Sequence, residues 1–350
     1  MLKIEHTICP TCSVGCGLNI ISKNDTIVGI NAYKNHEINE GRNCNNCTDT
    51  IELFKNNKEE LSEDYETILN KVTDLLNSAD KSRITVICSG RLNNEDLDKI
   101  ISFTNNQKYN LITYEYNFSK IDSDILASYE EVEKADKIIT IGDIYRNNPL
   151  IARRIIHAKE NGCYTININN HKNLTAYNSD EFINLDAFSE VMDTVKSQDL
   201  TDNTIIVVNK VSSNKQYQEL VDFVKENNIK ILPVLNHPNS FSVLEKTTPS
   251  TIHDLVEKCN NSDILILVDE NPAEYVDKEI GADKKIISFN TTKKLFQDSD
   301  VNIPVRAWYE QEGSFTNNEG KTQEFIDTIQ DDTNELKTIR MVFDELENAL

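Results

Sequence analysis

The sequence predicts an α/β protein with a small cysteine-bearing unit in front of parallel sheets. Two observations carry this. Five of the eight cysteines, Cys9, Cys12, Cys16, Cys44 and Cys47, fall in the first 47 residues. Beyond about residue 58, apolar runs of four to six residues alternate with segments of helical periodicity. Strands that are apolar throughout and separated by helices belong to parallel sheets covered on both faces.

The first unit, residues 1–58, starts with the thiol-rich loop. Gly17-Leu18-Asn19-Ile20-Ile21 and Thr26-Ile27-Val28-Gly29-Ile30 flank the polar turn Lys23-Asn24-Asp25, the pattern of a β-hairpin. The chain then returns to a second cysteine pair at Gly41-Arg42-Asn43-Cys44-Asn45-Asn46-Cys47. The second unit, residues 59–330, opens on a helix with Tyr65, Ile68, Leu69, Val72, Leu75 and Leu76 at helical spacing, behind Glu63-Asp64. Strands are expected at 84–88, 137–142, 164–168, 204–208, 229–235, 263–268 and 285–289, with a helix over Leu150 to Lys159. Near its end, Gly313-Ser314-Phe315-Thr316 and Lys321-Thr322-Gln323 flank Asn317-Asn318-Glu319-Gly320, which reads as a hairpin with Gly320 left-handed. An amphipathic helix, roughly Asn334 to Asn348, occupies the last stretch, 331–350.

Charge and cysteine usage exclude several classes. With 36 basic and 58 acidic residues in 350, the net charge is −22, so a nucleic-acid partner is not expected. No apolar run reaches about 18 residues, and no apolar leader follows Met1. A cytoplasmic protein without membrane insertion is expected. In a reducing compartment, clustered thiols read as a metal site rather than as disulfides. Cys88 and Cys163, in or beside strands, read as small buried hydrophobes. Glu59-Glu60 and Glu130-Glu131 read as solvated charge runs, and His157, His171, His237 and His253 as satisfied or surface histidines. Gly-x-Gly-x-x-Gly, Walker and Gly-x-Ser-x-Gly motifs are missing from the sequence, so nucleotide hydrolysis and serine-hydrolase chemistry have no support.

Two metals compete for the thiols. Cys9-x2-Cys12-x3-Cys16-x27-Cys44 offers three local ligands and one distant one, which suits a [4Fe–4S] cluster. Pro10 stiffens the loop, while Gly15 and Gly17 let the backbone curl. Zinc would instead use Cys9, Cys12, Cys44 and Cys47 as two C-x2-C knuckles and leave Cys16 idle. Those knuckles are 31 residues apart, against about 15–20 in the usual pattern.

The run Cys9-Pro10-Thr11-Cys12-Ser13-Val14-Gly15-Cys16-Gly17-Leu18 resembles the cluster motif of the molybdopterin oxidoreductases, in particular formate dehydrogenase α subunits. His36-Glu37-Ile38-Asn39-Glu40-Gly41-Arg42-Asn43-Cys44 is similar to that family's return to its fourth cysteine. Four further matches keep the family's order: Ser89-Gly90-Arg91 through Glu95, Ile141-Gly142 through Asn148-Pro149 to Arg153-Arg154, Asp269-Glu270-Asn271-Pro272, and Glu312-Gly313-Ser314 through Gln323. The resemblance implies two interleaved α/β/α lobes behind the cluster domain, able to cradle molybdopterin guanine dinucleotide. Arg91, Arg153 and Asn271 are its candidate cofactor contacts, with Arg146 and Arg154 as further basic groups. The rival reading of Arg153 and Arg154 is a solvated helix face.

The departures from the family pattern are specific. Asn46 stands where the family has a lysine between cluster and pterin. Ser119 and Lys120 stand where it has the metal-binding cysteine or selenocysteine and a histidine. Asn169-Asn170-His171 replaces its ribose-binding aspartate, and the sequence ends where its C-terminal barrel would begin. Only ten glycines and a charge of −22 make a poor cradle for phosphates. The expectation is an iron–sulfur redox subunit that passes electrons through one [4Fe–4S] cluster to a partner subunit carrying flavin or further clusters, its own molybdenum site lost. The alternatives are a molybdenum or tungsten oxidoreductase of the formate or formylmethanofuran dehydrogenase type, with Ser119 as metal ligand and a separate barrel subunit, and a zinc-stabilised scaffold.

Overall fold

The structure, a computed structural model, describes residues 2–276, 280, 283–293, 295, 298–329 and 335–350. Strands β1 (Leu2–Ile8), β2 (Gly17–Lys23) and β3 (Thr26–Ala32) form an antiparallel sheet in that order. The hairpin β2–β3 is as expected, with Asn24 and Asp25 left-handed in its turn. Strand β1 escapes the sequence reading because Leu2, Ile4 and His6 are exposed and only its end is buried. Helix α1 (Asn45–Asn56) also goes unpredicted, because only Cys47 and Ile51 on it are buried.

Helix α2 (Tyr65–Asn77) is capped by Asp64, which accepts from Thr67 N–H at 2.8 Å. Strand β4 (Ile84–Cys88), helix α3 (Asn94–Gln107) and strand β5 (Asn110–Thr113) begin one sheet, and the chain then leaves it. Helix α4 (Tyr129–Glu133), strand β6 (Lys137–Ile141), helices α5 (Ile144–Asn147) and α6 (Pro149–Glu160), strand β7 (Tyr164–Asn169), helix α7 (Leu174–Asn178) and strand β8 (Glu181–Asn184) start a second. Helix α8 (Val191–Lys196), strand β9 (Thr204–Val208), helix α9 (Asn214–Glu226) and strand β10 (Lys230–Pro233) complete it, in the order β10-β9-β6-β7-β8. Helices α10 (Ser240–Lys246) and α11 (Ile252–Asn261) lead back to the first sheet, which strands β11 (Ile264–Val268), β12 (Lys285–Asn290) and β13 (Val301–Pro304) finish in the order β13-β12-β11-β4-β5. Every pairing in the two five-stranded sheets is parallel. One sheet is thus inserted into the other along the chain. Strands β4, β9 and β11 are buried along their whole length, which is what apolar parallel strands require.

The hairpin β14 (Gly313–Thr316) and β15 (Thr322–Phe325) lies between the sheets and the cysteine unit, with Gly320 at φ +73° in its turn. Helix α12 (Ile339–Ala349) is capped by Thr338 and packs Phe343 against Phe103 and Phe289, ring centroids 4.9 and 4.7 Å away. Its expected start at Asn334 lies outside the described residues. One expectation is corrected here: Glu59 is not solvated but buried, which raises its carboxyl above the ordinary range. Cys88 and Cys163 are buried, as expected.

Candidate metal centre

The loop that leaves β1 is held in shape from several sides. Cys9 N–H donates to Cys16 O at 2.8 Å, closing the loop across its base. Trp308 Nε1–H donates to Ile8 O at 3.0 Å, Tyr129 O–H to Val14 O at 2.9 Å, and Ser13 O–H to Leu235 O at 2.8 Å. Gly15 is left-handed at φ +79°, and a Cβ there would lie 2.1 Å from Gln323 Oε1, so the hairpin β14–β15 is pressed onto the loop. At Gly17 a Cβ would meet the His36 ring at 2.3 Å. Gly17 N–H donates to Asn39 Oδ1 at 2.8 Å and to His36 Nδ1 at 3.2 Å. Burial keeps His36 below its ordinary value, so it is a neutral ring whose Nδ1 accepts from Gly17. His6 stacks on Tyr33, centroids 3.9 Å apart.

Cys44 is the N-cap of α1; burial raises its thiol above the ordinary value, against the first-turn amides of Cys47 and Asn46, which favour its thiolate. Cys9, Cys12, Cys16, Cys44 and Cys47 all line one pocket with Val14, Leu18 and Leu150. The Cys9 thiol is pushed well up by its contact with Cys47 and by burial, Cys16 well up by burial, and Cys12 to about 12 by burial. Buried thiols of this kind hold their protons in the absence of a cation, and a metal bound here would displace them. Three thiols from one loop and further thiols at the start of α1, all lining one pocket, are a donor set suited to a polynuclear cluster.

The other candidates are placed differently. Arg91 follows β4 and pairs with Glu274 at 2.6 Å, with Glu270 at 3.9 Å. Arg153 on α6 pairs with Glu40 at 2.7 Å, and buried Arg154 with Glu133 at 2.7 Å while donating to Ile38 O. The solvated-face reading of these two arginines is therefore corrected: they rivet α6 to the cysteine unit. Asn271 spends its side chain on Ala273 N–H at 3.1 Å. Ser119 is half-buried in the loop after β5, beside Lys120, which pairs with Glu245 at 3.0 Å. Asn46 donates to Asn147 O at 3.0 Å, a docking contact. His237 is also corrected: it is buried, and its Nδ1 has no hydrogen-bond partner.

Sequence reasoning missed Glu115 and Asn209. Glu115 is buried near Arg91, Glu270 and Ser240, and burial pushes it up to about 8. Its only signal in the sequence is a carboxylate within Thr113-Tyr114-Glu115-Tyr116. Asn209 directly follows β9 and looks like any polar residue at a strand end. Arg91, Arg153 and Asn271 each spend part of their side chain on protein partners, while Arg91 Nε, Arg153 Nη1 and His237 Nδ1 are buried without a hydrogen-bond partner.

Comparison with known proteins agrees with the cysteine geometry. Residues 2–52 match the Molybdopterin oxidoreductase Fe4S4 domain, so this unit is a [4Fe–4S] domain. The chain is similar to the F420-dependent formate dehydrogenase subunit alpha of Methanocaldococcus jannaschii, 34% identical over 206 residues that cover 52% of this chain and 31% of that protein. It is 27% identical over 251 residues to the F420-dependent formate dehydrogenase 1 subunit alpha of Methanococcus maripaludis, covering 63% and 36%. In fold it is similar to acetylene hydratase from Pelobacter acetylenicus, at TM-score 0.71 and 10% identity over 99% of this chain and 69% of that one. A chain of the formyltransferase/hydrolase complex from Methylorubrum extorquens aligns at TM-score 0.54 and 11% identity, covering 83% and 97%. The first unit matches the molybdopterin oxidoreductase class, and the chain as a whole is formate dehydrogenase α-like. Its alignments span about a third of the length of those curated relatives. Among the described residues, no helix is long and apolar enough to cross a membrane.

Proposed function

We propose that the chain is an iron–sulfur redox subunit of a larger complex, its own molybdenum site lost. The observation that carries the reading is the convergence of Cys9, Cys12, Cys16, Cys44 and Cys47 on one pocket at the start of α1, from which the three-plus-one spacing selects Cys9, Cys12, Cys16 and Cys44. These four would hold the group. When bound, a [4Fe–4S] cluster supplies one-electron redox chemistry. The protein's part is to exclude water with Val14, Leu18 and Leu150, to stabilise thiolate with the amides of α1, and to fix the loop through Trp308, Tyr129 and Gln323. Asn46 and Ser119 offer no inward electron route of the family's kind, so the second redox centre belongs to a partner subunit carrying flavin or further clusters.

The test is metal and sulfide analysis of anaerobically purified protein, with electron paramagnetic resonance after dithionite reduction. About four iron and four sulfide per chain, with a signal from a reduced cubane, are expected. Stoichiometric zinc without iron would overturn the reading.

A further inference from the structure

Open parallel sheets bind ligands in the crevice beyond their strand ends, where the strand order reverses. The two sheets have such points between β4 and β11 and between β6 and β9. The turn beside each is a glycine, Gly90 after β4 and Gly142 after β6. A dinucleotide needs free backbone N–H groups and open space at such turns for its phosphates.

Both turns are filled by the chain itself. Gly90 N–H donates to Glu115 Oε1 at 2.7 Å, and Ser240 O–H donates to Glu115 Oε2. Asn239 N–H donates to Gly90 O at 2.8 Å. A Cβ on Gly90 would lie 2.3 Å from Ser240 N, so the start of α10 sits directly on the turn. At the other turn Gly142 has φ +103°, and a Cβ would lie 2.0 Å from Asn209 Oδ1. Asn209 Nδ2–H donates to Asp143 O at 3.2 Å and Asn148 Oδ1 at 3.3 Å, which fixes it across that turn.

Charge and volume point the same way. Glu115, Asp269 and Glu270 are buried around the first crevice, and Arg91 beside them is already ion-paired. The cavity between Pro10-Thr11 of the cluster loop and Arg91, His237 and Asp269 has a volume of about 140 Å3. Pockets for drug-sized ligands run to about 300–1,000 Å3, and a pterin dinucleotide is larger than most such ligands. A wider groove of about 820 Å3 carries Asp122, Asp124, Glu245 and Glu319 against Lys120 and Lys246, both ion-paired.

We propose that Glu115 and Asn209 occupy the two switch-point turns in place of a ligand, so that the two-sheet core is a closed scaffold that binds no dinucleotide. This rests on the reading of a redox subunit without its own molybdenum site, and gives that loss a structural cause. Glu115 supplies the acceptor oxygen that a phosphate would bring to Gly90, and Ser240 takes the space.

The full-length chain, purified anaerobically from cells supplied with molybdate and tungstate, is tested in three ways. Pterin is assayed by fluorescence of its oxidised form, nucleotide by chromatography of the acid extract, and molybdenum and tungsten by mass spectrometry. Fewer than about one pterin per ten chains is expected, and any larger amount overturns the proposal. Titration with GDP should give no saturable binding up to about 1 mM, whereas a tighter Kd overturns it. Replacing the filling group, Glu115→Ala should lower Tm by about 3 °C or more at pH 6, since it leaves Gly90 N–H unpaired beside a hole. An unchanged Tm would show that Glu115 fills nothing. Iron content and the paramagnetic signal, read on the same samples, report on the redox reading separately.

Discussion

Glu115→Gln should reverse part of the protein's loss of stability at high pH. Glu115 is fully buried, and its carboxyl is lifted from 4.5 to about 8, chiefly by burial and further by Glu270, against hydrogen bonds from Ser240 and Gly90. Below pH 4.5 the group is protonated in both folded and unfolded chains and contributes no pH dependence. Between 4.5 and about 8 the folded chain holds a proton that the unfolded chain has released, so stability falls as pH rises and levels off above the folded value. That window spans about 3.5 units, and at ~1.4 kcal/mol per unit the effect is at most ~5 kcal/mol. Glu270 beside it is also pushed up by burial and takes part of the titration, so ~3 kcal/mol is a reasonable working figure. At roughly 2 cal/mol/K per residue, a chain of this length has an unfolding entropy of about 0.7 kcal/mol/K, so ~3 kcal/mol appears as ~4 °C. Gln keeps the shape, accepts from Gly90 through its carbonyl and donates to Ser240 through its amide. The assay is thermal unfolding of both proteins at pH 5 to 9. The variant should match the natural chain near pH 5 and gain on it by ~4 °C near pH 8.5. A Tm difference that stays constant across the range would refute the buried, protonated Glu115.

Three further outcomes are expected. Cys→Ser replacement at Cys9, Cys12, Cys16 or Cys44 should abolish the broad absorption near roughly 400 nm, while Cys47→Ser should keep it. Bleaching by Cys47→Ser with retention in Cys16→Ser would make the ligand set wrong. The isolated chain should not oxidise formate with an artificial acceptor, because Ser119 and Lys120 stand at the family's metal-ligand and histidine positions, and measurable turnover would sink that expectation. Anaerobic affinity purification from the native cell should recover a flavin or iron–sulfur subunit whose association slows as salt rises, since the net charge of −22 steers it to a basic face. Recovery of the chain alone would leave the partner without support.

The cysteine loop was legible in the sequence because its ligands lie close along the chain. Cys9, Cys12 and Cys16 need only one tight turn between them, and Gly15 and Gly17 mark where side chains would collide with Gln323 and His36. The parallel sheets were legible for a similar local reason, since Ile264–Val268 or Thr204–Val208 can be buried on both faces only inside such a sheet. What the sequence left open depends on partners far away in the chain. Arg153 and Arg154 look the same whether they face solvent, a phosphate or Glu40 and Glu133, and only the packing of α6 on the first unit chose among these. Glu59 reads as one of a charged pair until the fold buries it. Glu115 and Ser240 are 125 residues apart and belong to segments between different sheets, so no local pattern announces that together they close the turn at Gly90. Propensity and periodicity act over a few residues and fix elements. Which buried polar group satisfies which amide is decided by tertiary contact alone, because an unpaired group inside the protein costs several times the net worth of the bond it makes.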